Sequence, residues 1–299
     1  MPAGIYVGTD DGLHVFGSQT RLELPGRRLR TLVADGDKTW ALVGESEIFN
    51  AGAAAIWRHV TRLRNVKTTC IHPSGDGLLI GTYGAHLYRL RGQRLEPVES
   101  FDLVDGRAKW RAASGDQPSV GSIGVDDDGN TFVNVRIGGI PRSTDDCATW
   151  EPTLDIDEDV HQIVALPGDG PLLAATARGL STSWDHGGAW NHRALGLDGT
   201  YCTAVGVCND TVVVSASEGT NGKGAAIYRG GLEGVRLERC GKGLPDLETN
   251  IEPHCLAGAG STIAFGTTTG AVYASADAGR SWELLADGLP VVRCVLVRE

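Results

Sequence analysis

The sequence predicts an all-β chain folded as a seven-bladed β-propeller, with a C-terminal strand that closes the first blade. Three observations lead there. One short turn motif recurs three times at a propeller-like spacing. Seven apolar runs, each ended by a small-residue pair and a glycine-bearing turn, divide the chain. The last apolar run, Val291 to Val297, has no partner after it.

The chain opens on the second strand of a blade, Gly4 to Gly8. The seven anchors are Gly8-Thr9, Val43-Gly44, Gly81-Thr82, Asn134-Val135, Ala175-Thr176, Ala216-Ser217 and Gly266-Thr267. Before them lie short runs rich in Val, Ile, Leu and Thr: Thr31 to Val33, Thr69 to His72, Val120 to Val125, Val160 to Leu166, Cys202 to Val207 and His254 to Leu256. Their length and period-two alternation predict strands, and no segment carries a helical stripe. Seven four-stranded units close into a ring, which removes the exposed edges of an open sheet. The orphan strand then becomes the inner strand of blade 1. A single domain over residues 1–299 is expected, since all-β rings of this length are commonly one. The 42 glycines suit about 28 strands joined by tight turns.

The recurrent motif reads Ser143-Thr-Asp145-Asp-Cys147-Ala-Thr149-Trp150, Ser183-Trp-Asp185-His-Gly187-Gly-Ala-Trp190 and Ser275-Ala-Asp277-Ala-Gly279-Arg-Ser-Trp282. Ser and Asp two apart can return their oxygens to backbone N–H groups of the turn. Glycine two residues later supplies a positive φ, and the tryptophan buries a large ring. Cys147 stands where the other two copies have glycine. Trp150 and Trp190 are 40 residues apart, and Trp190 and Trp282 are 92 apart, room for one degenerate copy between. Blades 1, 2, 3 and 6 carry no such motif. One carboxylate per turn is too few for calcium, so the reading is structural.

These turns resemble the Asp-box, or BNR repeat, of sialidases, sortilin-type receptors, xyloglucanases and photosystem II assembly factors. The resemblance implies a propeller whose Asp-box turns lie on the bottom face and whose ligands meet the top face. For sialidase chemistry the likeness is one of family name and not of motif: this chain has seven units rather than six, and no tyrosine nucleophile with its glutamate is assignable. Arg136-Ile-Gly-Gly-Ile-Pro141 is superficially like a sialidase signature but lies beside an Asp-box in mid-chain.

Net charge is −10, which argues against nucleic acid as a partner. Residues 1–111 hold 15 Lys plus Arg against 12 Asp plus Glu, and the remainder 12 against 25. This is either a solvated acidic surface or a ring whose two sides hold opposite parts of a polar ligand. The beginning of the chain lacks a charged-then-apolar leader, and no apolar run is long enough to span a membrane. Seven cysteines, several in inner-strand runs, suit buried free thiols. The expectation is a cytoplasmic protein without a membrane segment.

Aligning the inner strands by their anchors puts Lys67, His161, Cys202 and Glu252 in one column, with His254 on the same side of its strand as Glu252. His161, Glu252 and His254 form a candidate catalytic set, and also a candidate site for a divalent transition metal. Asp157, between Asp155 and Asp159, could serve as a base or a supporting ligand, and Asn250 precedes Glu252. The alternative is that these are hydrogen-bonded core side chains, with Cys202 a small buried group.

A long segment between Val98 and Gly121 carries Arg107, Lys109, Trp110 and Arg111. Cations around an aromatic suit an anionic or planar ligand beneath a lid. The other reading is a capping loop with a buried tryptophan. Turns Glu45 to Asn50 and Glu218 to Lys223 rise at the same face. Arg27, Arg28, Arg30, Arg64, Lys67 and Arg293 lie where inner strands begin. Candidate substrate-binding residues are Arg30, Lys67, Arg107, Trp110, Arg111, Tyr201 and Arg293.

Function at this point divides three ways. The first is an enzyme, a hydrolase or lyase acting on a small polar or anionic molecule at the top of the channel. The second is a non-catalytic scaffold or assembly factor that binds a protein. The third is a glycan hydrolase or glycan-binding module.

Overall fold

The computed structural model describes residues 4–112, 115 and 117–299. Met1, Pro2, Ala3 and three members of the long segment, Ala113, Ser114 and Asp116, lie outside the described residues.

The architecture is a seven-bladed β-propeller of seven four-stranded sheets. Each blade runs antiparallel, so turns after its first and third strands lie at one end, the bottom. The turn after its second strand and the link to the next blade lie at the other, the top. The C-terminal strand Val292–Arg298 completes blade 1, pairing with Gly4–Thr9 from Gly4 opposite Arg298 to Thr9 opposite Val292.

The chain forms two compact units. One comprises residues 1–34, 177–180 and 192–299, the other residues 35–176 and 181–191. In the first, strand Thr211–Ser217 is buried at six consecutive positions after Thr211. Val212, Val213 and Val214 are all fully buried, so a continuous apolar run takes the place of the alternation of a half-exposed strand. Phe265 anchors this unit, stacked on Tyr273 at 5.2 Å and edge-on to Trp282 at 5.1 Å.

In the second unit, Phe101, Trp110, Val120, Val133 and Val135 share one core cluster. Phe101 is fully enclosed, and its burial contributes about 2–3 kcal/mol. Phe101 and Trp110 both come from the long segment, so that segment caps the core of its unit. Its only regular structure among the described residues is two 3₁₀ turns, Glu99–Leu103 and Arg107–Lys109.

The motif turns follow their chemistry. In the first copy, Ser143 Oγ donates to Asp145 Oδ1 at 2.9 Å and accepts from the Cys147 N–H at 2.9 Å. Ser183 and Ser275 make the same pair of bonds in their own copies. Gly187 and Gly279 have φ of 88° and 79°, and Cys147 adopts 67° in their place. Arg89 compensates the side chain there, donating from Nη2 to Cys147 Sγ at 3.2 Å.

One repeated irregularity was not legible in the sequence. Inner strands of blades 1, 3, 4, 5 and 6 slip by one residue near their top, leaving Arg293, Thr69, Gly121, His161 and Thr203 in the bulges. A bulge re-aims a side chain. His161 is therefore equivalent to Thr203, not to Cys202. Against His161 the anchor-based column is off by one residue at Cys202 and by two at Lys67, because the hairpins that follow these strands differ in length and counting to the anchor cannot see where each bulge falls.

Candidate functional site

The top of the second unit gathers the most polar side chains of the long segment. Strand Gly77–Thr82 ends in a turn over residues 83–86. Thr82 Oγ1 accepts from the His86 N–H at 3.1 Å and donates to the His86 carbonyl at 3.0 Å. This clamp sets His86 at the rim. The first 3₁₀ turn brings Asp102 up to it, with His86 Nδ1 at 2.8 and 3.1 Å from the two carboxylate oxygens.

Arg107 completes the group. Its Nη2 lies 2.9 Å from Asp102 Oδ1, and its Nη1 donates to the Ala85 carbonyl at 2.7 Å. The guanidinium also stacks over Trp110 at 4.8 Å from the ring centroid. Burial pushes the Arg107 pKa down while the Asp102 charge pushes it up, and burial prevails. Arg107 is a frame member that holds the loop to the turn. The preceding Gly106, at φ 82°, admits only glycine comfortably: a Cβ there would sit 2.6 Å from Ile156 Cδ1.

Around this frame stand exposed apolar side chains. Leu103 is 82% exposed and Tyr83 is 42% exposed. Leu103 follows Asp102 directly, and Tyr83 precedes Gly84, whose carbonyl also accepts from Arg107. His86 and Asp102 were missed in the sequence. The usable signal was a histidine closing the top turn of the very blade that the long segment follows.

The sequence-derived candidates are placed differently from expectation. Trp110 is buried against Phe101, at 5.4 Å between centroids, and is core rather than ligand surface. Arg111 pairs with Asp157 at 3.0 Å, both exposed. Arg136 Nε donates to Asp159 Oδ1 at 3.2 Å, and His161 Nε2 lies 3.4 Å from Asp159 Oδ2. Burial disfavours the charged form of Asp159. The bond and charge of His161, with the charge and bond of Arg136, outweigh it and hold the carboxyl below its usual range. The His161 side chain is fully enclosed, so it braces the bulge and presents no face to a ligand.

In the first unit, the inner strand of blade 7 is Leu256–Ala259. Glu252 to Cys255 form a turn before it, with the Cys255 N–H donating to the Glu252 carbonyl at 3.0 Å. His254 has φ 66°, and its carbonyl accepts from the Val295 N–H at 2.7 Å. Glu252 and His254 thus lie on a turn, not on one side of a strand, because the chain must fold back to meet the closing strand. Tyr201 and Cys202 are buried in strand Tyr201–Cys208. Arg293 is engaged by Asp10 through two bonds of 2.8 Å. Lys67 is exposed, and Arg30 is half-buried at the start of its strand. A top cleft of about 280 Å³ lies between residues 245–249 and the blade 7 turn, lined by Asp246, Glu248, Thr267, Thr269, Tyr273 and Asp287.

No protein-family model and no curated protein matches the chain. Solved structures do. An ancestral GH74 enzyme superposes with a TM-score of 0.64 at 12% identity over 95% of this chain and 40% of its own. The GH74 xyloglucanase from Xanthomonas campestris gives 0.59 at 14% identity over 87% of this chain and 47% of its own. The computationally designed Ika8 protein gives 0.58 at 13% identity over 95% of this chain and 83% of its own. This chain therefore spans less than half the length of the GH74 enzymes. At such identities the likeness is one of fold. No described helix is long and apolar enough to cross a membrane.

Proposed function

We propose that this chain is a binding propeller that recognises a protein partner through the top surface of the long segment. One observation carries the reading: Leu103 and Tyr83 stand exposed on a locked polar frame of His86, Asp102 and Arg107. Apolar anchors on a rigid support, flanked by arginine and tyrosine, match the composition of interaction hot spots. The rigidity lowers the ordering cost of association. Cross-linking of the intact chain in its native extract, followed by identification of the captured protein and a direct affinity measurement, tests it. Leu103→Asp should weaken that affinity at least tenfold, while Leu195→Asp, an exposed apolar position of the other unit, leaves it unchanged. Equal affinity for both variants would overturn the reading.

A second reading is an enzyme, a hydrolase or lyase on a small polar or anionic molecule. It is favoured by the same His86–Asp102 pair, because a carboxylate that orients an exposed imidazole is the arrangement of a general base. It shifts the chemistry from His161, Glu252 and His254 to His86. It calls for activity that His86→Ala abolishes with folding intact. The Asp-box likeness and the GH74 neighbours also keep a glycan ligand open. The acidic, threonine-lined cleft in the first unit, about 280 Å³, is a surface that such a saccharide unit would meet.

A further inference from the structure

The bottom of the second unit carries a side-chain cluster that none of these readings uses. Residues 126–130 form the turn between Val120–Val125 and Thr131–Val135 in blade 4. Asp126 is fixed there. Its Oδ1 accepts from the Asn130 N–H at 2.8 Å, and its Oδ2 accepts from Asn130 Nδ2 at 2.9 Å. Asp127 points away, accepting from the Gly168 N–H at 2.7 Å. Asp128 stays on the side of Asp126.

Into this turn comes His186, from the motif turn of blade 5, 60 residues later. Its Nδ1 lies 2.9 Å from Asp126 Oδ2. Donor atoms of Asp126, Asp128 and His186 all lie within 4.8 Å of one another. The Asp126 side chain is 7% exposed and His186 50% exposed, so one ligand is anchored and another faces water. Arg142, the nearby cation, does not neutralise the group. It is held by Glu151 and donates from Nη1 to the His186 carbonyl at 2.6 Å, which fixes the backbone of the histidine.

We propose that Asp126, Asp128 and His186 form a binding site for a divalent transition-metal ion, of the zinc or manganese kind. One imidazole and two carboxylates are a ligand set such ions accept. The 2.9 Å between Asp126 Oδ2 and His186 Nδ1 equals the separation, about 3 Å, of two adjacent ligands at right angles on one ion with bonds of about 2.1 Å. Asp128 is exposed and brings a carboxylate oxygen within 4.8 Å of both to supply the third ligand. The Asn130 bonds to Asp126 act as the supporting partners that orient a ligating carboxylate. The remaining positions open to solvent, so water completes the coordination. The site would tie a bottom turn of blade 4 to the motif turn of blade 5.

The test uses the full chain stripped with chelator and titrated calorimetrically with zinc and, separately, manganese. Thermal midpoints are read with and without each metal. The wild type should bind one equivalent of at least one of these ions and gain stability from it. Asp128→Asn and His186→Gln should each lower that affinity at least tenfold. Asp128→Asn should keep the metal-free midpoint, so a folding defect in His186→Gln does not obscure the result. No binding by the wild type, or binding that both variants retain, would overturn the proposal.

Discussion

Arg293 grips Asp10 with two bonds of 2.8 Å, Nε to Oδ1 and Nη2 to Oδ2, across 283 positions of sequence. Arg28 adds a third contact to the same carboxylate at 2.9 Å. One aspartate in the first turn of blade 1 thus receives the closing strand and the start of blade 2. The pair is partly exposed, so its worth is modest. A bidentate arginine–carboxylate pair of this kind contributes about 1 kcal/mol.

A double-mutant cycle of Asp10→Asn and Arg293→Ala should show coupling of about 1 kcal/mol, read as a midpoint change of about 2–3 °C. The hydrogen bond from Arg293 leads the forces that hold the Asp10 carboxyl below its usual range, with the charges of Arg293 and Arg28 adding to it against burial. Because the folded pKa is depressed, this stabilisation is present above the unfolded aspartate pKa of about 4 and fades as pH falls through the folded value. Coupling at pH 7 that does not shrink towards pH 3 would contradict this account.

The motif turns make a second prediction. Ser275 Oγ is buried, donates to Asp277 and accepts from the Gly279 N–H. Ser275→Ala leaves that buried N–H unpaired and should cost about 1–2 kcal/mol. Asp277 is held well below its usual pKa, first by the Ser281 hydroxyl bond, then by the Ser281 N–H and the Ser275 hydroxyl. Its contribution is therefore complete above about pH 4 and is lost as pH falls below. Asp277→Asn should remove part of the acid sensitivity of unfolding. A Ser275→Ala midpoint within 1 °C of wild type, a change equivalent to well under 1 kcal/mol, would sink this view of the turn.

These turns were readable in the sequence because their chemistry is local: three side chains and two consecutive positive φ angles lie within eight residues. The ring closure was readable because Val291 to Val297 is an apolar run that the hairpins of blade 7 leave unclaimed, and it pairs with Gly4–Thr9. The site was not. The slip that carries His161 into a bulge leaves no mark in a sequence that counts residues to an anchor. Trp110 among cations looks the same whether the ring faces a ligand or Phe101. His86 and Asp102 meet only because a 3₁₀ turn lifts one to the other.

The cysteines make a last prediction. All seven are free and buried. Burial pushes Cys202 and Cys294 each up to about 12, and Cys208 and Cys240 each to about 11. Cys255 is raised well above the ordinary thiol value by burial and by the neighbouring Cys294. Cys147 is raised by burial although Arg89 beside it favours the thiolate. The thiolate is the reactive form, and at pH 8 a thiol of pKa 11 is ionised to about one part in a thousand. The native protein should therefore consume less than one equivalent of a thiol reagent such as DTNB in the first minutes at pH 8, and seven equivalents in denaturant. Slow modification of the native state should begin at Cys147, the thiol with a guanidinium at 3.2 Å. Arg89→Met should slow that step by removing the cation, even as it takes from Asp146 its nearer partner, leaving Arg91 at 3.8 Å, and lowers the midpoint. Rapid native reaction of two or more thiols would mean that the inner strands open far more often than their burial allows.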